Sequence, residues 1–175
     1  MTRPHMLDLF TGLGGAHKGF LDNGWLVTSV DIDQTMRPDI VADLSRWSWD
    51  GPHVDFIWAS PPCTEFSRES MPWCRTGNMP DLTLVNAARR IISECRPDYW
   101  IVENVRGAVP YLGKPRTIVG PFYLWGMFPD LGHINTKAWR KKESYGSKQR
   151  AERAMIPYEL SKAVADAVSI QAVLL

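Results

Sequence analysis

The 175 residues suffice for one domain with a substantial core and no need of disulfides or metals, and the net charge of +1 points to no partner as a total. Three cysteines, Cys63, Cys74 and Cys95, are odd in number and lack paired spacing, which argues against both a disulfide framework and a zinc site. No stretch approaches 18 uninterrupted apolar residues and the N-terminus has no signal-like apolar core, so a soluble, intracellular, metal-free chain forming a single domain over 1–175 is expected.

The first predicted element is a strand over His5 to Phe10, followed at once by the glycine-rich turn Thr11-Gly12-Leu13-Gly14-Gly15 and a helix over Ala16 to Asn23. Such a turn lets a cofactor approach the backbone and aims helix N–H groups at it. The spacing is neither GxGxxG nor a P-loop, so a phosphate cradle is not favoured. A second strand from Trp25 to Val30 ends at Asp31-Ile32-Asp33, where an acid suits ribose hydroxyls. A third, Asp39 to Asp43, ends in another carboxylate. Each aspartate alone also suits a cap or turn.

Val54 to Trp58 is a short buried strand stopped by Pro61-Pro62, with Cys63 just beyond. A thiol at the C-terminal edge of a parallel sheet is placed like a nucleophile; an incidental loop cysteine is the alternative. The irregular stretch Thr64 to Pro80 has the length of a binding loop. Over Asp81 to Cys95, Leu84, Val85, Ala88, Ile91, Ile92 and Cys95 recur at helical spacing, which predicts an amphipathic helix with Cys95 buried. The strand Asp98 to Val102 then ends at Glu103-Asn104. Alternating strands and helices predict an α/β fold with a mainly parallel, doubly wound sheet flanked by helices.

Thr117 to Phe128 reads as short or edge strands of undetermined order, and Lys137 to Arg153 holds a basic patch that suits phosphate contacts or a solvated face. Pro157 opens a last helix with Leu160, Ala163, Val164, Ala167 and Val168 on one face.

Together these residues resemble the cytosine-C5 DNA methyltransferase family. Asp8-Leu9-Phe10-Thr11-Gly12-Leu13-Gly14-Gly15 is similar to its S-adenosylmethionine motif, Pro61-Pro62-Cys63 with Phe66-Ser67 to its nucleophile motif, and Glu103-Asn104-Val105 to its glutamate motif. Tyr145-Gly146 with Gln149 to Arg153 is similar to its Gln-x-Arg-x-Arg element, with Ala151 in place of the first arginine. The family's large target-recognition domain has no room between that element and the last helix, so the chain resembles the short phage and prophage forms.

The resemblance implies a Rossmann-like, S-adenosylmethionine-dependent enzyme that methylates C5 of cytosine in DNA through a Cys63 adduct, with Glu103 and Arg153 gripping the base. It implies a cofactor pocket from Asp8, Phe10, Gly12, Gly14, Gly15, Asp31, Ile32, Asp43 and Pro62, leaving S-adenosylhomocysteine as product. Ser67, Arg68, Asn104 and Gln149 are implied on the substrate side. It further implies DNA as partner, as a duplex with a flipped cytosine or as a single strand, in the cytoplasm of a bacterium or phage-infected host. Two alternatives stay open: a catalytic half needing a recognition subunit, or a degenerate binding protein; and an RNA-directed enzyme of the same family. A nicotinamide oxidoreductase would leave Pro61-Pro62-Cys63 and Glu103-Asn104 unexplained.

Overall fold

A computed structural model describes residues 3–67, 79–137, 139, 152 and 154–172. Seven strands form one sheet: β1 (His5–Leu9), β2 (Leu26–Asp31), β3 (Ile40–Val41), β4 (Phe56–Ala59), β5 (Tyr99–Asn104), β6 (Thr117–Val119) and β7 (Phe122–Met127). Their order is β3-β2-β1-β4-β5-β7-β6. The first five run parallel, while β7 is antiparallel to both β5 and β6. The expected mainly parallel sheet is therefore present, with one reversed strand inserted at its far side. That reversal follows from a tight connection: Gly120, at φ +58, turns the chain so that Val119 pairs with Phe122.

Among the described residues the sheet is accompanied by helices α1 (Lys18–Asp22), α2 (Thr83–Cys95), α3 (Val109–Leu112) and α4 (Tyr158–Ala172). The central strands are buried on both faces, and two apolar clusters cover them. Met6, Phe20, Phe56, Trp58, Ile101, Leu124, Leu160, Val164 and Val168 join the sheet to α1 and α4. Leu7, Leu9, Ile57, Ala59, Val85, Ala88, Ile91 and Ile92 join it to α2. Each fully buried side chain of this size stabilises the fold by about 1.5–3 kcal/mol before conformational entropy is set against it. The sheet is thereby fixed as a rigid platform.

Several boundaries differ from the sequence expectation. α1 is a short helix because the glycine turn continues as irregular turns up to His17, and β3 pairs at only Ile40 and Val41. Cys95, expected in the core, closes α2 and is half-buried; burial and the neighbouring Glu94 push its thiol pKa up. On α4 the buried row is Leu160, Ser161, Val164, Ala165 and Val168, whereas Ala163 and Ala167 lie only partly covered. The 3-10 turn Arg106–Ala108 leading into α3 had no clear signal, since Gly107 and Pro110 read as breakers. Among the described residues no helix is long and apolar enough to cross a membrane.

Candidate functional site

One row of paired residues crosses the sheet where the parallel strands end. Val30 of β2 pairs with Leu9 of β1, Leu9 with Ala59 of β4, and Ala59 with Val102 of β5. The next positions are Asp31, Phe10, Ser60 and Glu103. The four predicted functional segments thus emerge side by side at the carboxyl edge, where open α/β sheets bind ligands.

At β1 the chain turns sharply: Phe10 adopts φ +60, a left-handed conformation costly for a bulky residue, and Gly12 follows at φ +50. A Cβ on Gly12 would meet nothing within 4 Å, so the backbone there faces open space. Asp31 fastens this turn to β2, its Oδ2 accepting the Gly12 N–H at 2.9 Å and its Oδ1 the Asp33 N–H at 2.9 Å. Asp8 is 1% exposed, and its Oδ2 accepts the Thr11 hydroxyl at 2.6 Å and lies 2.7 Å from His17 Nδ1. Asp8 is therefore a brace inside the turn. Gly14 leaves room for the His17 ring, and Gly15 lies against the backbone of Ile156.

Further along the edge Ile32 is 68% exposed, an apolar surface beside Asp31. Asp43 is exposed and Oδ1 accepts the Ser45 N–H and hydroxyl at 3.0 and 2.7 Å, which holds its pKa below the usual carboxylate range. Both its predicted uses, turn cap and ligand acceptor, are compatible with that exposure. An open glycine backbone, an exposed apolar side chain and carboxylates at two strand ends suit a nucleoside, with ribose hydroxyls and an exocyclic amine to be bound. These residues fit a cofactor of the S-adenosylmethionine type.

After β4 the chain makes a pinned turn. Asn104, buried on β5, donates its amide Nδ2–H to the Pro61 carbonyl at 2.9 Å. The Cys63 carbonyl accepts from the Phe66 and Ser67 N–H groups at 3.0 and 2.9 Å, so a helical turn begins at the cysteine. Phe66 is buried beneath it, and Gly107 fits under the Phe66 carbonyl, where a Cβ would come within 1.9 Å. Glu65 Oε2 accepts the Asp81 N–H at 3.1 Å, tying the turn to the approach to α2. Cys63 is half-buried, Pro62 exposed and Ser67 half-buried.

Glu103 lies within β5 rather than beyond it, paired with Leu124 of β7. Burial pushes its pKa up to about 7, and a hydrogen bond from Ser60 acts in the opposite direction. A carboxyl poised there can donate a proton or accept one at neutral pH.

Of the remaining predicted residues, Arg68, Gln149 and Arg153 lie outside the described residues, as do Cys74 and most of the basic patch. Sequence reasoning missed Ser60 and His17. For Ser60 a signal existed, because the period of two in β4 puts it on the same face as Trp58. The Asp8–His17 contact has no local signature. A cleft of about 310 Å³ opens against the glycine turn, lined by Gly12, Gly14, His17, Val27, Arg37 and Asp39 among others. It exists because β2 and β3 are joined by the single 3-10 turn Gln34–Met36, too short a link to lay a helix over the sheet. Among the described residues the one group of potential metal ligands, His53, Asp55 and Asp98, lies where β4 and β5 begin, at the opposite edge.

Residues 5–114 match the C-5 cytosine-specific DNA methylase family. The chain is 31% identical over 139 residues to the Type II methyltransferase M.XorII of Xanthomonas oryzae pv. oryzae, covering 66% of this chain and 31% of that protein. It is 27% identical over 173 residues to the "Probable DNA (cytosine-5)-methyltransferase" of Frog virus 3, covering 87% and 77%. A solved structure described as a candidate DNA modification methyltransferase from an Escherichia coli prophage superposes with a TM-score of 0.49 at 26% identity, over 63% of this chain and 35% of that one. The chain thus spans about a third of the bacterial relative's length and about three quarters of the viral one's.

Proposed function

The chain belongs to the C-5 cytosine-specific DNA methylase family, and on that premise we propose that it transfers a methyl group from S-adenosylmethionine to C5 of cytosine in DNA. The observation that carries the reading is Glu103, buried with its pKa near 7, one position past the strand row from which the Cys63 turn also emerges. Cytosine C5 is too weak a nucleophile to take a methyl group unaided, so the ring must first be activated covalently. The bound cofactor supplies an electrophilic methyl on a sulfonium.

Cys63 adds as thiolate to C6. The ring electrons move toward N3, and protonated Glu103 donates to N3 while its other oxygen accepts from the N4 amine. C5 is then enamine-like and would form the new carbon–carbon bond as the methyl–sulfur bond of the sulfonium breaks, leaving S-adenosylhomocysteine. Loss of the C5 proton to solvent, return of the N3 proton to Glu103 and expulsion of the thiolate restore the aromatic ring, Cys63 and the Glu103 carboxyl. The Phe10–Gly15 turn, Asp31, Ile32 and Asp43 hold the cofactor; Asp8 and Asn104 hold the two turns in place. The cytosine must leave its stack or arrive single-stranded, which costs a few kcal/mol. Arg153, Gln149, Arg68 and Ser67 complete the base and backbone contacts in this reading.

The test is a covalent complex with DNA carrying 5-fluorocytosine in the presence of S-adenosylmethionine, seen on a denaturing gel. Fluorine at C5 blocks the final elimination, so the adduct accumulates. Wild-type protein gives the complex and Cys63→Ala gives none. Parallel reactions with duplex DNA, single-stranded DNA and RNA identify the substrate. Absence of an adduct on all three overturns the reading for the chain acting alone.

A further inference from the structure

Beside Glu103 lies an ordered polar contact that the reaction scheme does not use. Trp58, fully buried on β4, donates its indole N–H to Ser60 Oγ at 3.0 Å. An indole nitrogen is a donor only, so Ser60 must be the acceptor there and its own proton is left for another partner. That partner is Glu103, to which the Ser60 side chain is hydrogen-bonded. The register favours the contact: Ala59 pairs with Val102, so Ser60 and Glu103 are the next positions on the two strands, and Trp58 precedes Ser60 by two residues.

We propose that Ser60, oriented by Trp58, is a positioning residue that fixes the Glu103 carboxyl in one orientation and governs whether it carries a proton when the base arrives. The inference rests on the reading that Glu103 engages cytosine N3. Only a protonated carboxyl can donate to N3, and a carboxyl held permanently neutral could not give that proton up to the ring and take it back. Ser60 opposes burial by donating to the ionised form, so it keeps both states within reach at neutral pH.

Few other described groups face this carboxyl. Leu124 lies opposite on β7, and Asp8, across β4 on β1, is tied to Thr11 and His17. Cys63 and Glu65 sit on the turn beyond β4, Glu65 being bonded to the Asp81 N–H. Burial and Ser60 are what move Glu103; no charged side chain among the described residues figures beside them.

The experiment follows the Glu103 carboxyl by ¹³C NMR titration of glutamate-labelled protein, assigned with Glu103→Gln, and so needs no turnover. Ser60→Ala should raise the titration midpoint by roughly one to two pH units, the worth of a hydrogen bond to a charged group. Ser60→Thr should restore it. Trp58→Phe, which frees the serine proton to rotate, should give a smaller rise. Ser60→Ala/Trp58→Phe removes donor and acceptor together, so a folding defect from an orphaned indole in the single variant does not block the measurement. The alkaline limb of adduct formation with 5-fluorocytosine DNA should move by the same amount, with S-adenosylhomocysteine affinity unchanged. A midpoint that stays put in Ser60→Ala overturns the inference. If wild-type protein forms no adduct at any pH, the methyl-transfer reading fails and the NMR midpoint still decides the Ser60–Glu103 coupling.

Discussion

Ionisation of Glu103 bears on the fold as well as on the chemistry. Its folded pKa of about 7 stands above the ordinary 4.5 because burial disfavours the charge. Between those two pH values the native chain holds a proton that the unfolded chain has released, so stability falls as pH rises from about 4.5 to about 7 and stays reduced above. Glu103→Gln keeps an acceptor for Ser60 but never ionises. It should therefore match wild type near pH 4 and exceed it at pH 9 by on the order of 3 kcal/mol. Urea unfolding at pH 4, 7 and 9 reads this directly; two curves that stay parallel across the range would refute it.

At the scale of elements, the nucleophile turn and the 3-10 turn Arg106–Ala108 are one packed unit. Gly107 lies so close to the Phe66 carbonyl that a methyl group there must displace one of the two backbones. Gly107→Ala should cost about 1–3 kcal/mol of stability and cut 5-fluorocytosine adduct yield at least tenfold, while cofactor binding at the far turn stays unchanged. Equal loss of cofactor and adduct would place the damage elsewhere.

The turns were legible in the sequence because their signals are local. Gly12, Gly14 and Pro61-Pro62 interrupt apolar runs, and Asp31 and Glu103 follow them. The sheet order was not legible, since the insertion of β7 between β5 and β6 depends on pairing between segments whose residues alternate no more clearly than any buried strand's. For the same reason Glu103 read as a terminus although β7 extends the strand past it. The brace made by Asp8 and His17 was invisible because a buried carboxylate in a strand has the same letter as an exposed one.

At the scale of the whole molecule, the cofactor turn leans on the far end of the sequence. Gly15 lies against Ile156, and Gly19 against the backbone of Lys162, where a Cβ would come within 2.5 Å. Ser161, fully buried, accepts the Gly19 N–H at 2.9 Å and donates to the Ala16 carbonyl at 2.6 Å. Helix α4 is thereby clamped on α1. Gly19→Val should separate them and lower stability by roughly 1–3 kcal/mol or more, with a matching fall in S-adenosylhomocysteine affinity although residue 19 is on the covered side of α1. Thermal melts with and without the ligand check both effects; unchanged melting would show that the crossing tolerates a side chain.

That clamp also sets an order of events at the ribosome. Gly19 and Ser161 are 142 residues apart, and at 5–20 residues per second the second emerges on the order of ten seconds after the first. Until then the glycine turn lacks its backing, so this half of the pocket stays unfinished throughout that interval.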